Sequence, residues 1–340
     1  MALVPCASYE PAVVAAAIDE ALGRLDGVAA FAAAGQRALL KINLLGPRGA
    51  DEAVTTHPEV VLALAAALRR GGVESVVGDS PGVGDFDHAA AVAGLRDLYA
   101  RTGAGLVDFR RARRVRVPDA LRVDHFEVYE RLGAFDLLVD VPKLKSHAFQ
   151  VMTCAVKNLF GLIPGRRKEA FHRLLPDPGT FGEMLIDLYR VTRPGLCVVD
   201  AVEVPLAERP GARGGKRRLG LVGVADDAVA ADAVLAEIVG IGAANVPALR
   251  AAVRVGVPGA DPRAVEIVGG LPAGVGFVAG AAVAPACGVP ECDDALCTAC
   301  ATCAEVCPVD AIEMVDGRPR FDQATCIRCY CCEEFCEGRA

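Results

Sequence analysis

The chain has 340 residues, with 43 acidic and 36 basic side chains for a formal net charge of -7, and 53% of its residues are hydrophobic. That length suits about two domains, and the lack of a basic excess, with only 5% aromatic residues, argues against a nucleic-acid surface. No uninterrupted apolar run approaches the ~18 to 20 residues of a membrane helix, so no membrane span is expected. In chain order, residues 11–25 read as a helix, and residues 39–42 and 75–77 as strands on either side of a second helix. Pro58 suits the first position of that helix and Glu59 its positive end, and Gly71 and Gly72 stop it after Arg69 and Arg70. Further strands are expected at 137–141, 196–199, 219–224 and 265–268, with a helix at 226–239. Short β-rich apolar runs alternating with longer helical patterns predict an α/β fold with a largely parallel sheet. A Pro/Gly/Ala-rich stretch at 269–290 reads as a linker, which divides the chain into an α/β domain at 1–285 and a small α+β domain at 286–340.

Eight of the fourteen cysteines form two copies of one rhythm, C-x2-C-x2-C-x3-C: Cys297, Cys300, Cys303 and Cys307, then Cys326, Cys329, Cys332 and Cys336. Such a loop lets three thiolates wrap one corner of a 4Fe–4S cluster while the fourth reaches across to a neighbouring one. By that rule Cys297, Cys300, Cys303 and Cys336 hold one cluster, and Cys326, Cys329, Cys332 and Cys307 hold a second. Zinc prefers two C-x2-C knuckles a dozen or more residues apart. Disulfides need an oxidising compartment, yet Asp19 and Glu20 interrupt the only early apolar stretch and leave nothing like a secretory signal. A cytoplasmic protein with two 4Fe–4S clusters is therefore expected. Cys6, Cys154, Cys197, Cys287, Cys292 and Cys331 fall outside the rhythm; Cys331 adjoins Cys332, but only Cys332 keeps both spacings. Residues 291–340 hold eleven acidic and four basic side chains, so this segment carries the whole net charge, as suits a face steered toward a basic redox partner protein.

In open parallel sheets, ligands bind outside the carboxyl ends of the strands, and the informative polar residues collect there. Lys41 and Asn43 close one predicted strand, Asp79 and Ser80 follow the next, and Lys143, Lys145, Ser146 and His147 follow a third. Thr55, Thr56 and His57 precede the Pro58 helix, whose first N–H groups favour an anion. Lys157 and Asn158 begin a glycine-containing segment that leads to basic residues 166–168 and to His172. Singly, each has a structural explanation: a strand-end lysine as a surface charge, Asp79 as a turn cap, His57 as a helix cap, and 166–168 as an exposed loop. Jointly they predict a cleft in which Lys41, Asn43, Thr56, Ser80, Lys143, Lys145, Lys157 and Asn158 hold a small carboxylate or phosphate. His57 or His147 would deliver a proton, and Asp79 would orient that histidine or hold a metal.

Five blocks in order, Lys-Ile-Asn at 41–43, Thr-Thr-His-Pro at 55–58, Gly-Asp-Ser-Pro-Gly at 78–82, Pro-Lys-Leu-Lys-Ser-His at 142–147 and Lys-Asn-Leu-Phe-Gly-Leu-Ile-Pro-Gly at 157–165, resemble the family called domain of unknown function three-six-two. The resemblance covers roughly residues 1–270. Family members often carry a dicluster ferredoxin tail, and residues 291–338 resemble bacterial dicluster ferredoxins, with Glu337 in place of the usual proline. Where this chain has Ile42 and Ser146, the family more often has proline and threonine. The resemblance implies an iron–sulfur oxidoreductase-like protein and names no reaction. Two one-electron clusters suffice for a two-electron reduction, and no G-x-G-x-x-G follows a predicted strand to hold a nicotinamide. The sequence thus reads as a ferredoxin-fused reductase of a small anionic substrate. An electron carrier docking to a partner enzyme is the alternative, and would need no converging lysines; a scaffold with structural clusters is a third.

Overall fold

Seven strands pair into one sheet in the computed structural model, which describes residues 1–165, 167–206, 215–278 and 288–338. They are β1 (Ala2–Pro5), β2 (Arg37–Ile42), β3 (Glu74–Asp79), β4 (Gly105–Asp108), β5 (Leu137–Val141), β6 (Leu196–Leu206) and β7 (Gly215–Ala225). Their order is β1-β7-β6-β5-β2-β3-β4. Pairs β6/β5, β5/β2, β2/β3 and β3/β4 are parallel, whereas β7 runs antiparallel to both β1 and β6. The central strands are buried on both faces, which is why β2 and β5 read as nearly unbroken apolar runs. Successive side chains alternate between faces, so Leu39 and Leu40 enter different cores.

Helices α1 (Pro11–Gly23) and α2 (Pro58–Arg70) cover one face through Val14, Ile18, Val60, Leu64 and Leu68, packed with Leu40 and Val139. Helices α3 (Pro178–Thr192), α4 (Ala228–Ile238) and α5 (Pro247–Arg254) cover the other with Met184, Leu188, Val234 and Leu249. The fold is α/β, as expected. The sequence patterns missed the four-residue strands β1 and β4 and helices α3 and α5. The strand expected at 265–268 does not form. Val268 N–H donates to the Met1 carbonyl (2.9 Å) and the Met1 ammonium to the Glu266 carbonyl (3.0 Å), which ties the segment beside β1 without building a ladder. Its apolar residues Val265 and Ile267 pack on the core instead, which accounts for the misleading pattern. Strand order runs one way from β2 to β4 and the other way from β5 to β7, so the carboxyl ends of β2 and β5 border a topological switch point.

The cysteine sets lie in residues 288–338, with short helices Thr302–Glu305 and Cys331–Phe335 and a hairpin of Ile312–Val315 with Arg318–Phe321. The expected domain boundary falls within 279–287, outside the described residues, as does Cys287. Val306, Ile327 and Phe335 of this unit cluster with Val83, from the loop after β3. Arg48 donates to the Phe335 carbonyl (3.1 Å) and the Glu337 carbonyl (3.3 Å). Gly82 lies so close to the Phe335 ring that a Cβ there would sit 2.1 Å from its Cζ, so any side chain would force the ring to shift. No helix among the described residues is long and apolar enough to cross a membrane.

Candidate functional site

At the carboxyl end of β2, Lys41 is almost wholly buried, and a buried ammonium must find partners for its donors. It pairs with Asp79 Oδ1 at 2.9 Å and donates to Asn158 Oδ1 at 3.1 Å and to the Ile42 carbonyl. Asp79 also accepts from Leu44 N–H and Ser80 N–H, each at 2.7 Å. Asn158 returns its amide to the Lys41 carbonyl (3.1 Å) and to Asp140 Oδ1 (2.7 Å). Burial pushes the Asp140 carboxyl well above its ordinary range, against the opposing pull of Lys41 and Asn158. Gly161 permits this network, since a Cβ there would meet Asp79 Oδ1 at 2.4 Å and Lys41 Nζ at 2.6 Å. Lys41 and Asp79 are thus a fixed floor, with the ammonium already committed to protein acceptors.

Above that floor lies a cleft that opens to solvent. Lys41, Asn43, Asp79, Ser80, Lys157, Asn158, Lys168 and His172 line one side; Val306, Cys331, Glu334 and Phe335 of the cysteine-bearing unit line the other. Three polar atoms in the wall, Asn43 Oδ1, Thr153 Oγ1 and His172 Nδ1, are buried without a hydrogen-bond partner. Lys157 has no ion pair among the described residues, and its ammonium lies 5.2 Å from the centre of the Phe160 ring. Lys168, half-buried overall, turns its ammonium inward to the Ser80 carbonyl (2.5 Å) and Oγ (3.2 Å). Burial pushes Lys168 down to about 8. His172 is held to about 3 by burial and by Lys157, so its imidazole is neutral at physiological pH.

Five predicted site residues are committed elsewhere. Lys143 bonds to Asp200 Oδ2 at 2.9 Å and to the Tyr9 hydroxyl at 2.6 Å, fully buried, and burial lowers its affinity for a proton. His57 stacks on Tyr9 with ring centres 3.6 Å apart, and its Nδ1 accepts from Glu59 N–H (3.2 Å) as the cap of α2. Thr56 bridges Asn43 N–H (2.8 Å) to the Val141 carbonyl (2.6 Å) and thereby ties β2 to β5. Lys145 and His147 sit on the hairpin Lys145–His147/Val151–Thr153 and face Glu334, at 3.9 and 3.4 Å respectively. The His147 contact is not aligned as a hydrogen bond, since Nε2 remains without a formal partner. Burial pushes Glu334 up, but His147 and Lys157, aided by Lys145, outweigh it and hold the carboxyl well below its ordinary range. Burial also pushes Lys145 down to about 8 and lowers His147. These two residues dock the cysteine-bearing unit rather than lining the cleft.

The two cysteine sets share one backbone. Ala299 and Ala301 in the first set, and Arg328 and Tyr330 in the second, are the corresponding left-handed residues, with φ between 58 and 62°. A short helix begins at the next position in each, Thr302 and Cys331. Cys307 lies with Cys326, Cys329 and Cys332 around one mainly apolar cavity, while Cys303 faces Cys300 and Cys336.

A family model described as "Domain of unknown function (DUF362)" matches residues 38–237, and a 4Fe-4S binding domain model matches residues 293–313. The chain belongs to the DUF362 family. It is an iron–sulfur protein of that family with a ferredoxin-like motif in its C-terminal part. A Thylakoid-associated protein of Synechocystis is 33% identical over 269 residues, covering 78% of this chain and 82% of that relative. The solved lactate racemase apoprotein from Thermoanaerobacterium thermosaccharolyticum aligns with a TM-score of 0.43 at 13% identity, covering 67% of this chain and 54% of that one.

Within this DUF362 chain, sequence reasoning misplaced or missed Lys168, His172, Thr153 and Glu334. Residues 166–168 read as an exposed loop, but Lys168 and His172 belong to a helix, Arg167–Leu174, and both line the cleft. Their i, i+4 spacing, which puts two residues on one helical face, was the available signal. Arg167 does point outward, to Glu127, and Arg166 lies outside the described residues. Tyr9 carried no signal. Asp140 and Asp200 did, because an aspartate inside an apolar run demands a buried partner.

Proposed function

We propose that this chain is an iron–sulfur oxidoreductase in which a small carboxylate or phosphate binds in the cleft, beside two 4Fe–4S clusters. The observation that carries this reading is the double origin of the cleft, with Ser80, Lys157 and Lys168 facing Cys331, Glu334 and Phe335 of the second cysteine loop. The donor chemistry fits the clusters: eight thiols in two sets whose left-handed residues recur at the same positions. Cys297, Cys300, Cys303 and Cys336 would hold one cluster, and Cys326, Cys329, Cys332 and Cys307 the other. Bound there, the clusters would supply low-potential electrons one at a time. Lys157 and Lys168 bind and orient the anion, the unpartnered Thr153 hydroxyl donates to it, and the unpartnered Asn43 Oδ1 accepts from a hydroxyl elsewhere on the substrate. Lys168 also holds a proton at Nζ near neutrality, which suits it to act as general acid in place of His57 or His147. Residues 1–285 and 286–340 act as the binding and redox units of a protein suited to a reducing cytoplasm.

Electrons reach such a site from a redox partner, and the eleven acidic against four basic side chains in residues 291–340 favour a basic one. A second reading, an electron carrier without chemistry of its own, rests on the same acidic surface. To separate the two, anaerobically purified protein is reduced and mixed with a panel of small keto- and unsaturated carboxylates and phosphate esters while cluster absorbance is followed. The reductase reading expects reoxidation by at least one class, lost in a Lys157→Ala/Lys168→Met double variant with unchanged iron content. Reoxidation by protein acceptors alone would leave only the carrier.

A further inference from the structure

We infer that the cleft also binds one thiophilic divalent cation, ligated by Cys331 and His172 and shared with the second cysteine set through the Cys329 sulfur. Only that sharing rests on the two-cluster reading. The duplicated backbone sets Cys331 opposite Thr302: each follows the second left-handed residue of its loop and precedes a cysteine of the rhythm. Where the first loop has a hydroxyl, the second therefore has a further thiol, and that thiol is buried in the cleft wall. His172 lines the same cleft, and its Nδ1 is buried without a hydrogen-bond partner. The ligand atoms of His172, Cys329 and Cys331 all lie within 4.8 Å of one another.

A purely structural histidine is the competing explanation. His172 packs among Phe149, Phe160 and Phe181. A phenylalanine would fill that place without leaving a bare nitrogen, whereas an imidazole there needs a partner for Nδ1. Metal bonds of about 2.0 to 2.3 Å place tetrahedral donors roughly 3.5 to 4 Å apart, so small side-chain adjustments close this set around an ion. Two sulfurs and one imidazole select a cation such as Zn²⁺ over Mg²⁺ or Ca²⁺. Three protein donors leave a coordination position for a cleft ligand, the arrangement of catalytic rather than structural zinc.

The test uses the full chain, reconstituted anaerobically with iron and sulfide, loaded with Zn²⁺ and passed over a chelating resin. Wild-type protein should retain one zinc per chain, with sulfur and nitrogen neighbours by X-ray absorption at the zinc edge. Cys331→Thr, which copies the first loop, and His172→Phe, which keeps the aromatic packing, should each weaken retention by more than roughly a hundredfold, the upper range for losing an outer-shell partner. Iron and sulfide should stay at about eight each. Absence of zinc from the wild type, or retention at the wild-type level by either variant, overturns the site. About four iron per chain, with zinc still dependent on both residues, upholds the site and overturns the second cluster instead.

Discussion

Lys143 and Lys157 both follow β5, both belong to motifs that suggested anion binding, and the tertiary structure gives them opposite tasks. Lys143 is closed off by Asp200 and Tyr9 and is fully buried. Lys157 stands in the cleft with a neighbouring aromatic face and no ion pair among the described residues. Lys41 resembles Lys143, and Lys168 resembles Lys157. The difference teaches that a lysine at a strand end is available to a ligand only when no buried carboxylate has claimed it. A committed ammonium holds the fold together, whereas an uncommitted one can trade its hydration for a ligand's charge.

Removing one member of each pair tests that division most directly. Lys143→Met strands the buried Asp200 carboxylate, so unfolding by denaturant under anaerobic conditions should register a loss of about 3 to 5 kcal/mol. The folded fraction should still bind the small anion selected in the reoxidation assay. Normal stability combined with lost binding would reverse the two roles. Lys157→Ala should do the opposite, losing about 1.5 to 3 kcal/mol of binding as a charge-assisted hydrogen bond disappears. That corresponds to roughly ten- to a hundredfold in affinity by calorimetric titration, with stability changed by only about 0.5 kcal/mol.

The pH profile sharpens the comparison further. Because burial holds Lys168 at about 8 in the free protein, anion affinity should be complete below that pH and fall as pH rises through it. The slope should approach about tenfold per pH unit until the lysine of the complex also deprotonates, and Lys168→Met should flatten this limb. A limb that survives in Lys168→Met would assign it to another group, with Lys145, also near 8, the first to examine. The smallest effect belongs to Arg167→Ala, one position away on the outward side of the same helix. Its exposed pair with Glu127 should be worth only about 0 to 1 kcal/mol, with ligand binding unchanged.

The cysteine rhythm was legible in the sequence because the first three thiols of each set lie within one short loop, where spacing alone lets them converge, while the fourth reaches across to the other set. The central strands and helices α1, α2 and α4 were legible because their burial writes a local period into the chain. Helix α3 hid its face behind a polar start, and residues 265–268 imitated a strand because they are buried without a ladder. The lysines could be found but not sorted. Their partners lie far away in sequence, as Tyr9 and Asp200 do from Lys143, and only strand order and packing decide which acceptor arrives first. Glu334 belongs to the same class. Its entry among Lys145, Lys157 and His147 depends on how the cysteine-bearing unit seats against Gly82 and Arg48. Local spacing thus determined which chemistries the chain carries, and the tertiary structure decided which of those groups remain free, because a buried charge must be matched by whatever partner the fold brings to it.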